Sequence, residues 1–234
     1  MQLTFASYNI HKAVGLDRRR DPERILAVLH EIDADVVALQ EADRRFGRRE
    51  TVLPRAMLDD LSHYRAVPLN HRPDSIGWHG NALLVKRGIA VAEAGIVPLP
   101  TLEPRGAVRA DLLAHGARLR VVGMHLDLSG LRRRQQLRAI LGEVTHCGPA
   151  CPMVLMGDFN EWAIHGGAWR EFLAPWRVLM PGRSFPARRP VAQLDRIVIS
   201  EQWQVDAAGV HHSALAAVAS DHLPVVARLT LPKK

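Results

Sequence analysis

Residues 153–162, MVLMGDFNEW, are the stretch that decides how the rest of the chain is interpreted. Four apolar residues run up to Gly157, and Asp158, Phe159 and Asn160 follow at once. One explanation is an ordinary strand and turn, because Asp and Asn side chains bond to nearby backbone in turns. The other is a buried strand that delivers a carboxylate and an amide to a functional site. The polar residues at the ends of the other predicted strands distinguish between the two.

The composition is that of a globular protein with an unusual charge. The chain has 234 residues, of which 47% are hydrophobic and 24% are charged. This length fits one large domain, so we expect residues 1–234 to form a single domain. The net charge of +7 favours an anionic partner such as nucleic acid, a phosphorylated small molecule or an anionic lipid surface. Charge that serves only solubility is the alternative.

The cysteines and the N-terminus bear on where the protein works. Cys147 and Cys151 offer too few ligands for a zinc site, and a disulfide framework is unusual in so long a chain, so we expect free thiols. The first residues lack the basic and then apolar pattern of a signal peptide. No apolar run approaches the ~18 residues of a membrane span. We therefore expect a cytoplasmic monomer without a transmembrane segment.

Predicted strands outnumber predicted helices along the chain. The helix over 21–32 has Asp21 as its N-cap and Pro22 at its first position. Further helices are predicted over 53–61 and 129–144. Hairpins are predicted around Gly88 and around the His-Gly pair at 115–116. Strands are predicted over 3–10, 34–41, 81–87, 89–99, 107–114, 118–126, 152–158, 193–200, 203–210 and 223–231. This pattern favours an α/β fold in which a β-sandwich is covered by helices.

Polar side chains stand at the ends of seven of these segments. They are Asn9, Glu41, Asn81, His125 with Asp127, Asp158 with Asn160, Asp195, and Asp221 with His222. Each alone fits a turn, but Glu41 is a poor turn former that directly follows an apolar run. Carboxylate and amide oxygens without thiolates suit Mg²⁺ or Mn²⁺, and histidines beside further aspartates suit proton transfer. With a basic surface, this set indicates metal-assisted hydrolysis of a phosphoester.

Seven short motifs, spread between residues 7 and 226, resemble those of the endonuclease/exonuclease/phosphatase superfamily and follow its order. They are SYNIH, LQE, GNALLV, GMHLD, GDFNE, QLDRI and SDHLPV. GDFN and SDH are specific as a pair. The superfamily includes pancreatic-type deoxyribonucleases, apurinic/apyrimidinic endonucleases, neutral sphingomyelinases and inositol-polyphosphate 5-phosphatases. The resemblance implies a four-layer α/β/β/α sandwich of two mostly antiparallel sheets, like that of deoxyribonuclease I, with the active site at one edge.

The resemblance also implies a ligand set and a nucleophile site. Glu41 would be the chief ligand of Mg²⁺ or Mn²⁺, with Asn9 beside it and Asp221 as a second carboxylate on the metal side. Asp158 would orient or deprotonate the attacking water, and Asn160 would hold a phosphate oxygen.

The remaining implied roles involve histidines. His222 would bond to the phosphate or the water, and Asp195 would accept its other N–H, which fixes the tautomer. Whether Asp158 or His222 is the general base stays open. His125 would be a general acid, as in the deoxyribonuclease and sphingomyelinase branches, and Asn81 would support the phosphate side of the pocket.

The sequence therefore predicts a divalent-metal-dependent phosphodiesterase acting on nucleic acid or on a phospholipid or sphingolipid headgroup. A phosphomonoesterase for a phosphorylated small molecule is an alternative, which the lack of a lysine-rich clamp disfavours. A catalytically silent binding protein is another, which the complete set of site residues disfavours. Arginine runs near the strand ends predict a basic collar around the site, with solvated helix faces as the alternative. The runs are 18–20, 44–45, 48–49, 132–134 and 188–189.

Overall fold

The computed structural model describes residues 1–45, 47–69, 72–101, 105–144 and 151–232. Within these residues the chain forms twelve β-strands and four α-helices. The strands are β1 (Gln2–Asn9), β2 (Val36–Gln40), β3 (Tyr64–Ala66), β4 (Ala82–Lys86), β5 (Ala90–Val97), β6 (Gly106–Ala114), β7 (Ala117–His125), β8 (Met153–Asp158), β9 (Arg177–Leu179), β10 (Asp195–Ile199), β11 (Gln204–Val210) and β12 (Val225–Thr230). The helices are α1 (Pro22–Ile32), α2 (Arg55–Leu61), α3 (Gly130–Val144) and α4 (Ala216–Ala219).

The strands form two six-stranded sheets. The first has the order β11-β12-β1-β2-β4-β3, and the second has the order β5-β6-β7-β8-β10-β9. The pairs β1–β2 and β7–β8 are parallel, and the other described pairs are antiparallel. A parallel pair needs a long crossover, usually a helix, and α1 and α3 supply the two crossovers. Each sheet therefore has a parallel pair at its centre.

Alternating side chains in the first sheet make two of the buried layers. Along β2, Val36 and Ala38 pack between the sheets, whereas Val37 and Leu39 pack with the helices on the outer face. This is the two-residue period of a strand, with both faces buried because β2 is central. Helix α1 covers that outer face with four buried residues, and its Asp21 N-cap accepts a bond from the Arg24 amide at 2.9 Å. The N-cap prediction is confirmed.

The second sheet is covered on its outer face in the same way. Leu137 and Ile140 of α3 pack with Phe159 and with Val122 of β7 in a separate apolar cluster. Helices thus lie outside both sheets, and the sheets face each other across a third cluster that includes Phe5 and Ile197. The four-layer α/β/β/α sandwich expected from the sequence is confirmed.

One predicted hairpin is confirmed and the other is wrong. His115 and Gly116 connect β6 to β7 with φ angles of 48° and 81°, the positive values that tight hairpin turns require. At Gly88, by contrast, the chain passes from one sheet to the other, because β4 pairs with β2 and β3 while β5 pairs with β6. The apolar run of β4 is buried on both faces, and a central position satisfies that burial, whereas β5 is half-exposed at an edge.

Three predictions about the chain as a whole have different outcomes. Cys151 is disulfide-bonded, so the expectation of free thiols is wrong for this residue, and Cys147 lies outside the described residues. A helix long and apolar enough to cross a membrane is not found in the described part of the chain. That the protein is a cytoplasmic monomer stays a prediction.

Candidate active site

The polar residues predicted from strand ends converge on one edge of the sandwich. Asp158 ends β8 with His125, the last residue of β7, opposite it on one side. Asp195, the first residue of β10, lies opposite it on the other side. Since β8 is parallel to β7 and antiparallel to β10, one carboxyl end and one amino end flank the Asp158 carboxylate. The strand-and-turn explanation alone does not account for this arrangement.

Asp158 lies at the centre of the cluster and is only 2% exposed. Its Oδ2 accepts a hydrogen bond from Asn9 Nδ2 at 3.1 Å and lies 3.2 Å from His125 Nε2 and 3.8 Å from His222 Nε2. Its Oδ1 accepts the backbone N–H of Asn160 at 2.9 Å. Burial acts to raise the pKa of Asp158, but the positive charge of the two histidines outweighs burial and holds the pKa well below its ordinary value. Asp158 is therefore a buried carboxylate that stays ionised.

His222 joins Asp158 to the buried Asp195. The Nδ1 atom of His222 lies 2.9 Å from Asp195 Oδ2, and the same oxygen accepts the Ser184 hydroxyl at 2.5 Å. Burial alone would lower the pKa of His222, but the carboxylate of Asp195 outweighs burial and raises that pKa to about 10. The ring of Phe185 covers the imidazole at a centroid distance of 4.7 Å. His222 is thus a fixed imidazolium whose Nε2 points towards Asp158.

Asn160 lies on a turn that the protein holds rigidly. Its backbone has a φ of 51°, in the left-handed region, and its Nδ2 donates to the carbonyl of Leu126 at 2.9 Å. The next residue, Glu161, is buried and accepts the Ala168 amide at 2.9 Å and Arg133 Nη2 at 3.3 Å. An Asn amide nitrogen has two donors, so Asn160 keeps a second N–H for another acceptor.

Glu41 faces the same edge from the end of β2. It also has a positive φ, 56°, and its carboxylate forms an ion pair with the ammonium of Lys12. Burial acts to raise the pKa of Glu41, but the charges of His125 and Lys12 outweigh burial and lower it. Asn9 supports this side, because its Oδ1 accepts the His11 amide at 3.1 Å and so fixes the turn that carries Lys12.

Asp221 lies on the other side of that turn. Its Oδ1 is 3.9 Å from His11 Nδ1 and 3.4 Å from the hydroxyl of Ser220. The turn His11–Ala13 thus places one cationic or ionisable side chain beside each of the two carboxylates predicted to bind metal. It does so with three consecutive positive φ values, 44°, 58° and 57°.

The structure allows a choice between two places for a metal ion. Among the described residues, the ligand atoms of Asp158, Asp195 and His222 lie within 4.8 Å of one another. Within this group, however, His222 Nδ1 already bonds to Asp195 Oδ2 at 2.9 Å. Glu41 fits a hard cation better, because its ionised carboxylate is 24% exposed and already holds the Lys12 ammonium. Asn9 and Asp221, the other two predicted ligands, lie around the same turn.

Arg105 and Asn81 complete the side of the site near His125. Arg105 precedes β6, and its Nη1 lies 2.9 Å from His125 Nδ1 and also contacts Nε2. Asn81 is fully buried, and its Nδ2 lies near Gly106, the residue paired with His125. The Nδ2 group makes long bonds of 3.4 Å to the carbonyls of residues 78 and 79. Asn81 therefore borders the site, but the hydrogen bonds of its side chain within the described structure are weak.

The arginines at the start of α3 and those after Glu41 have different surroundings. Arg133 is buried and paired with Glu161, while Arg134 Nε lies 2.7 Å from Glu171 Oε1. These two arginines at the start of α3 are therefore neutralised by the protein's own carboxylates. Arg44, Arg45 and Arg49 instead line a pocket beside Glu41. Its lining is Lys12, Glu41, Asp43, Arg44, Arg45, Arg49, His79, Gly80, Arg105 and His125. The predicted collar is thus divided into a structural part and a part that faces the site.

Several residues at the site were not predicted from the sequence. Lys12 follows a strand end and gives no signal beyond its charge. Ser184 and Phe185 lie outside any predicted strand, and only the structure shows that they contact Asp195 and His222. Glu161 is adjacent to the GDFN motif, but its function in bonding the loop depends on Arg133, which is 28 residues away in sequence.

With this fold and this set of side chains established, comparison with known proteins identifies the family. Residues 6–222 match the model of the Endonuclease/Exonuclease/phosphatase family. The chain belongs to this family, whose members are typically phosphoric-ester hydrolases. It is also similar to the uncharacterized protein YbhP of Escherichia coli K12, with 27% identity over 210 residues and 82% of each chain covered. The branch within the family stays a prediction.

Two solved structures share the fold at low sequence identity. D. rerio TDP2 complexed with single-strand DNA product has a TM-score of 0.76 and 16% identity, with 98% of this chain and 99% of that chain covered. The mannosyl-6-phosphatase of Bacteroides thetaiotaomicron has a TM-score of 0.75 and 19% identity, with 97% and 99% covered. At such identities the likeness concerns the fold alone.

Proposed function

We propose that this chain is a divalent-metal-dependent phosphodiesterase that cleaves a nucleic-acid strand or a lipid headgroup. The observation that carries the proposal is the surrounding of Asp158, where an ionised carboxylate is fixed between two histidines and two asparagines. A carboxylate held in this way accepts a hydrogen bond from water and orients it. The net charge of +7 supports a polyanionic substrate.

The proposed roles follow from the protonation of the groups. Asp158 orients the attacking water, and the His222 imidazolium donates from Nε2 to a phosphoryl oxygen. The second N–H of Asn160 donates to another phosphoryl oxygen. Water forms one new P–O bond and gives one proton to Asp158, the bond to the leaving oxygen breaks, and that oxygen takes a proton from His125. Because the pKa of His222 is raised, His222 is already protonated, and this favours Asp158 as the group that accepts the proton from water.

Glu41, Asn9 and Asp221 are the residues that would hold the metal ion. When bound, a divalent cation offsets charge on the phosphoryl oxygens and orients the substrate. The Lys12 ammonium already pairs with the Glu41 carboxylate, so Lys12 and a cation would compete for it.

Different observations support two substrate classes. TDP2 of D. rerio, which shares the fold, binds a single-strand DNA product, and this supports a nucleic-acid strand. A phosphomonoesterase is the second candidate, because the arginine-lined pocket beside Glu41 suits a terminal phosphate and a mannosyl-6-phosphatase shares the fold.

Hydrolysis of bis-p-nitrophenyl phosphate tests the proposal directly. We expect turnover with Mg²⁺ or Mn²⁺ that EDTA abolishes. Asp158→Asn and His222→Gln should each lower kcat by about 10²–10⁴-fold. His115→Gln, at the tip of the β6–β7 hairpin, is the matched control and should retain activity. Metal-independent turnover, or normal rates in both site variants, would refute the proposal.

A substrate panel then separates the candidates. Plasmid DNA, abasic duplex, RNA, sphingomyelin and cardiolipin cover the diester classes, and p-nitrophenyl phosphate covers monoesters. Cleavage of the monoester alone would replace the diesterase by the second candidate.

A further inference from the structure

We propose that the pocket lined by Arg44, Arg45 and Arg49 binds a second phosphate group of the substrate, one that is not cleaved. This inference rests on the proposed function, because it concerns the substrate of the same site. The pocket shares a wall with the catalytic cluster, since Glu41 and His125 line both. A phosphate bound there would therefore lie beside a scissile phosphate at Asp158.

The charge of the pocket calls for an anion. Five cations line it, namely Lys12, Arg44 (which also pairs with Glu50 at 3.6 Å), Arg45, Arg49 and Arg105, against the two lining carboxylates of Glu41 and Asp43. One of these carboxylates, Glu41, is already paired with Lys12, and the other is buried and hydrogen-bonded. Like charges gathered in one concave site repel one another, and a bound anion relieves that repulsion. Arginine suits phosphate in particular, because its planar fork binds two oxygens at once.

Hydrogen bonds fix the backbone on both sides of these arginines. Asp43 accepts the Ser75 hydroxyl at 2.8 Å and the Gly80 amide at 3.2 Å, and it forms a β-bridge with Thr51 that closes the loop. The Arg44 amide donates to the carbonyl of Glu50 at 2.8 Å. Residues 43–44 and 50–51 are therefore held in place before the ligand binds, which lowers the entropic cost of binding.

The size of the pocket limits what it can take. Its volume is about 80 Å³, far below the roughly 300–1,000 Å³ of pockets that enclose a whole small molecule. One phosphate group fits this size, whereas a nucleoside does not. The phosphate could belong to the end of a nucleotide strand or to a lipid headgroup, and the chemistry of the contact is the same.

Matched pairs of diester substrates test the inference. The nucleotide arm compares TpT with pTpT and TpTp. The lipid arm compares glycerophosphoinositol with glycerophosphoinositol 4-phosphate. We expect kcat/KM for at least one phosphorylated member to exceed that of its unphosphorylated partner by tenfold or more, and the arm that shows this identifies the source of the phosphate. A ratio near one in both arms would overturn the inference.

Two double variants separate the pocket from general surface charge. Arg44→Gln with Arg49→Gln should bring the kcat/KM ratio to within about threefold of one. Arg188→Gln with Arg189→Gln removes the same charge from exposed positions outside the pocket lining and should leave the ratio unchanged. An equal loss of the ratio in both double variants would mean that net charge is responsible, which would overturn the inference.

Calorimetry with inorganic pyrophosphate in EDTA keeps the inference independent of turnover. If no diester is cleaved, the proposed function fails. Pyrophosphate binding that the Arg44/Arg49 double variant abolishes and the Arg188/Arg189 double variant retains would still support the pocket. Equal binding by all three proteins would overturn it.

Discussion

Replacing Gly157 by Ala should damage the site through the backbone of the neighbouring strand. A Cβ atom at this position would lie 1.9 Å from the carbonyl oxygen of Met124 in β7. Real Cβ atoms essentially never approach a heavy atom closer than 3.0 Å, so β7 and β8 must separate by about 1.1 Å. The two residues that follow in register are His125 and Asp158, whose side chains lie 3.2 Å apart. A displacement of that size therefore falls on the central contact of the site.

Gly157→Ala should lower both the stability of the fold and the rate of hydrolysis. Forcing a methyl group into a packed strand pair typically costs about 1–3 kcal/mol, which corresponds to a Tm lower by roughly 2–12 °C in a protein of this size. A misplacement of about 1 Å at a catalytic group can cost about 10²-fold in rate. We expect Gly157→Ala to remain folded at 25 °C and to hydrolyse bis-p-nitrophenyl phosphate about 10²-fold more slowly. Thermal denaturation and steady-state kinetics measure the two effects separately.

A matched glycine provides the control. Gly142 lies exposed in α3, where an added Cβ meets no heavy atom within 4 Å. Gly142→Ala should raise stability by about 0.5–1 kcal/mol, because Ala loses less backbone entropy in a helix, and should leave the rate unchanged. Wild-type activity and wild-type Tm in Gly157→Ala would refute the reasoning from the Met124 contact.

Three further predictions concern single side chains. Asp111→Asn should destabilise the fold by about 3 kcal/mol at pH 7, because it leaves the buried Arg120, now bonded at 2.6 and 3.0 Å, without its carboxylate. Burial acts to raise the pKa of Asp111, but the bonds to Arg120 outweigh burial and lower that pKa. The stabilisation by this pair is therefore full above about pH 3.9, the ordinary pKa of Asp, and is lost as pH falls through the pKa of Asp111 in the folded protein. Urea titrations at several pH values should show this loss in the wild type only. His125→Gln should lower kcat for an alkyl phosphodiester at least tenfold more than kcat for bis-p-nitrophenyl phosphate, because the p-nitrophenolate leaving group needs no proton. An equal loss of kcat for both substrates would show that His125 is not the general acid. Lys12→Met should tighten Mn²⁺ binding about two- to fivefold, because the Lys12 ammonium no longer competes for the Glu41 carboxylate. This factor corresponds to roughly 0.5–1 kcal/mol, the free energy of an ion pair near the surface. Weaker Mn²⁺ binding by the variant in calorimetry would contradict the prediction.

The part of the site that could be predicted from the sequence is the part that strand ends determine. A buried apolar run followed by Asp158, and another ending in His125, need only become neighbours in a sheet for their side chains to meet. The same holds for Asp195, which begins the strand on the other side of β8. Local patterning therefore predicts which residues gather, because alternation and burial fix which face and which end of a strand they occupy.

The contacts that the sequence did not predict depend on turns and on strand order. The turn at residues 11–13 has positive φ values without any glycine, and no local pattern signals that Lys12 will reach Glu41. Gly88 has the local signature of a hairpin, yet burial of both faces of β4 decides that the chain crosses to the other sheet. The role of Gly157 is of the same kind. Next to Asp158 it suggests a bend, whereas its structural reason is the carbonyl of Met124 in a strand 33 residues earlier in the chain.

The two sheets place the site at one edge because their strand orders correspond. In each sheet a central parallel pair, β1–β2 or β7–β8, sends two carboxyl ends to that edge. The antiparallel strands on either side of each pair send their amino ends to the same edge. These strands are β12 and β4 in the first sheet and β6 and β10 in the second. Eight strand ends thus meet there, and they carry the residues that surround Asp158 and Glu41. Because these ends come from the whole length of the chain, the geometry of the site depends on the spacing between strands, and a single added methyl group between β7 and β8 is sufficient to test it.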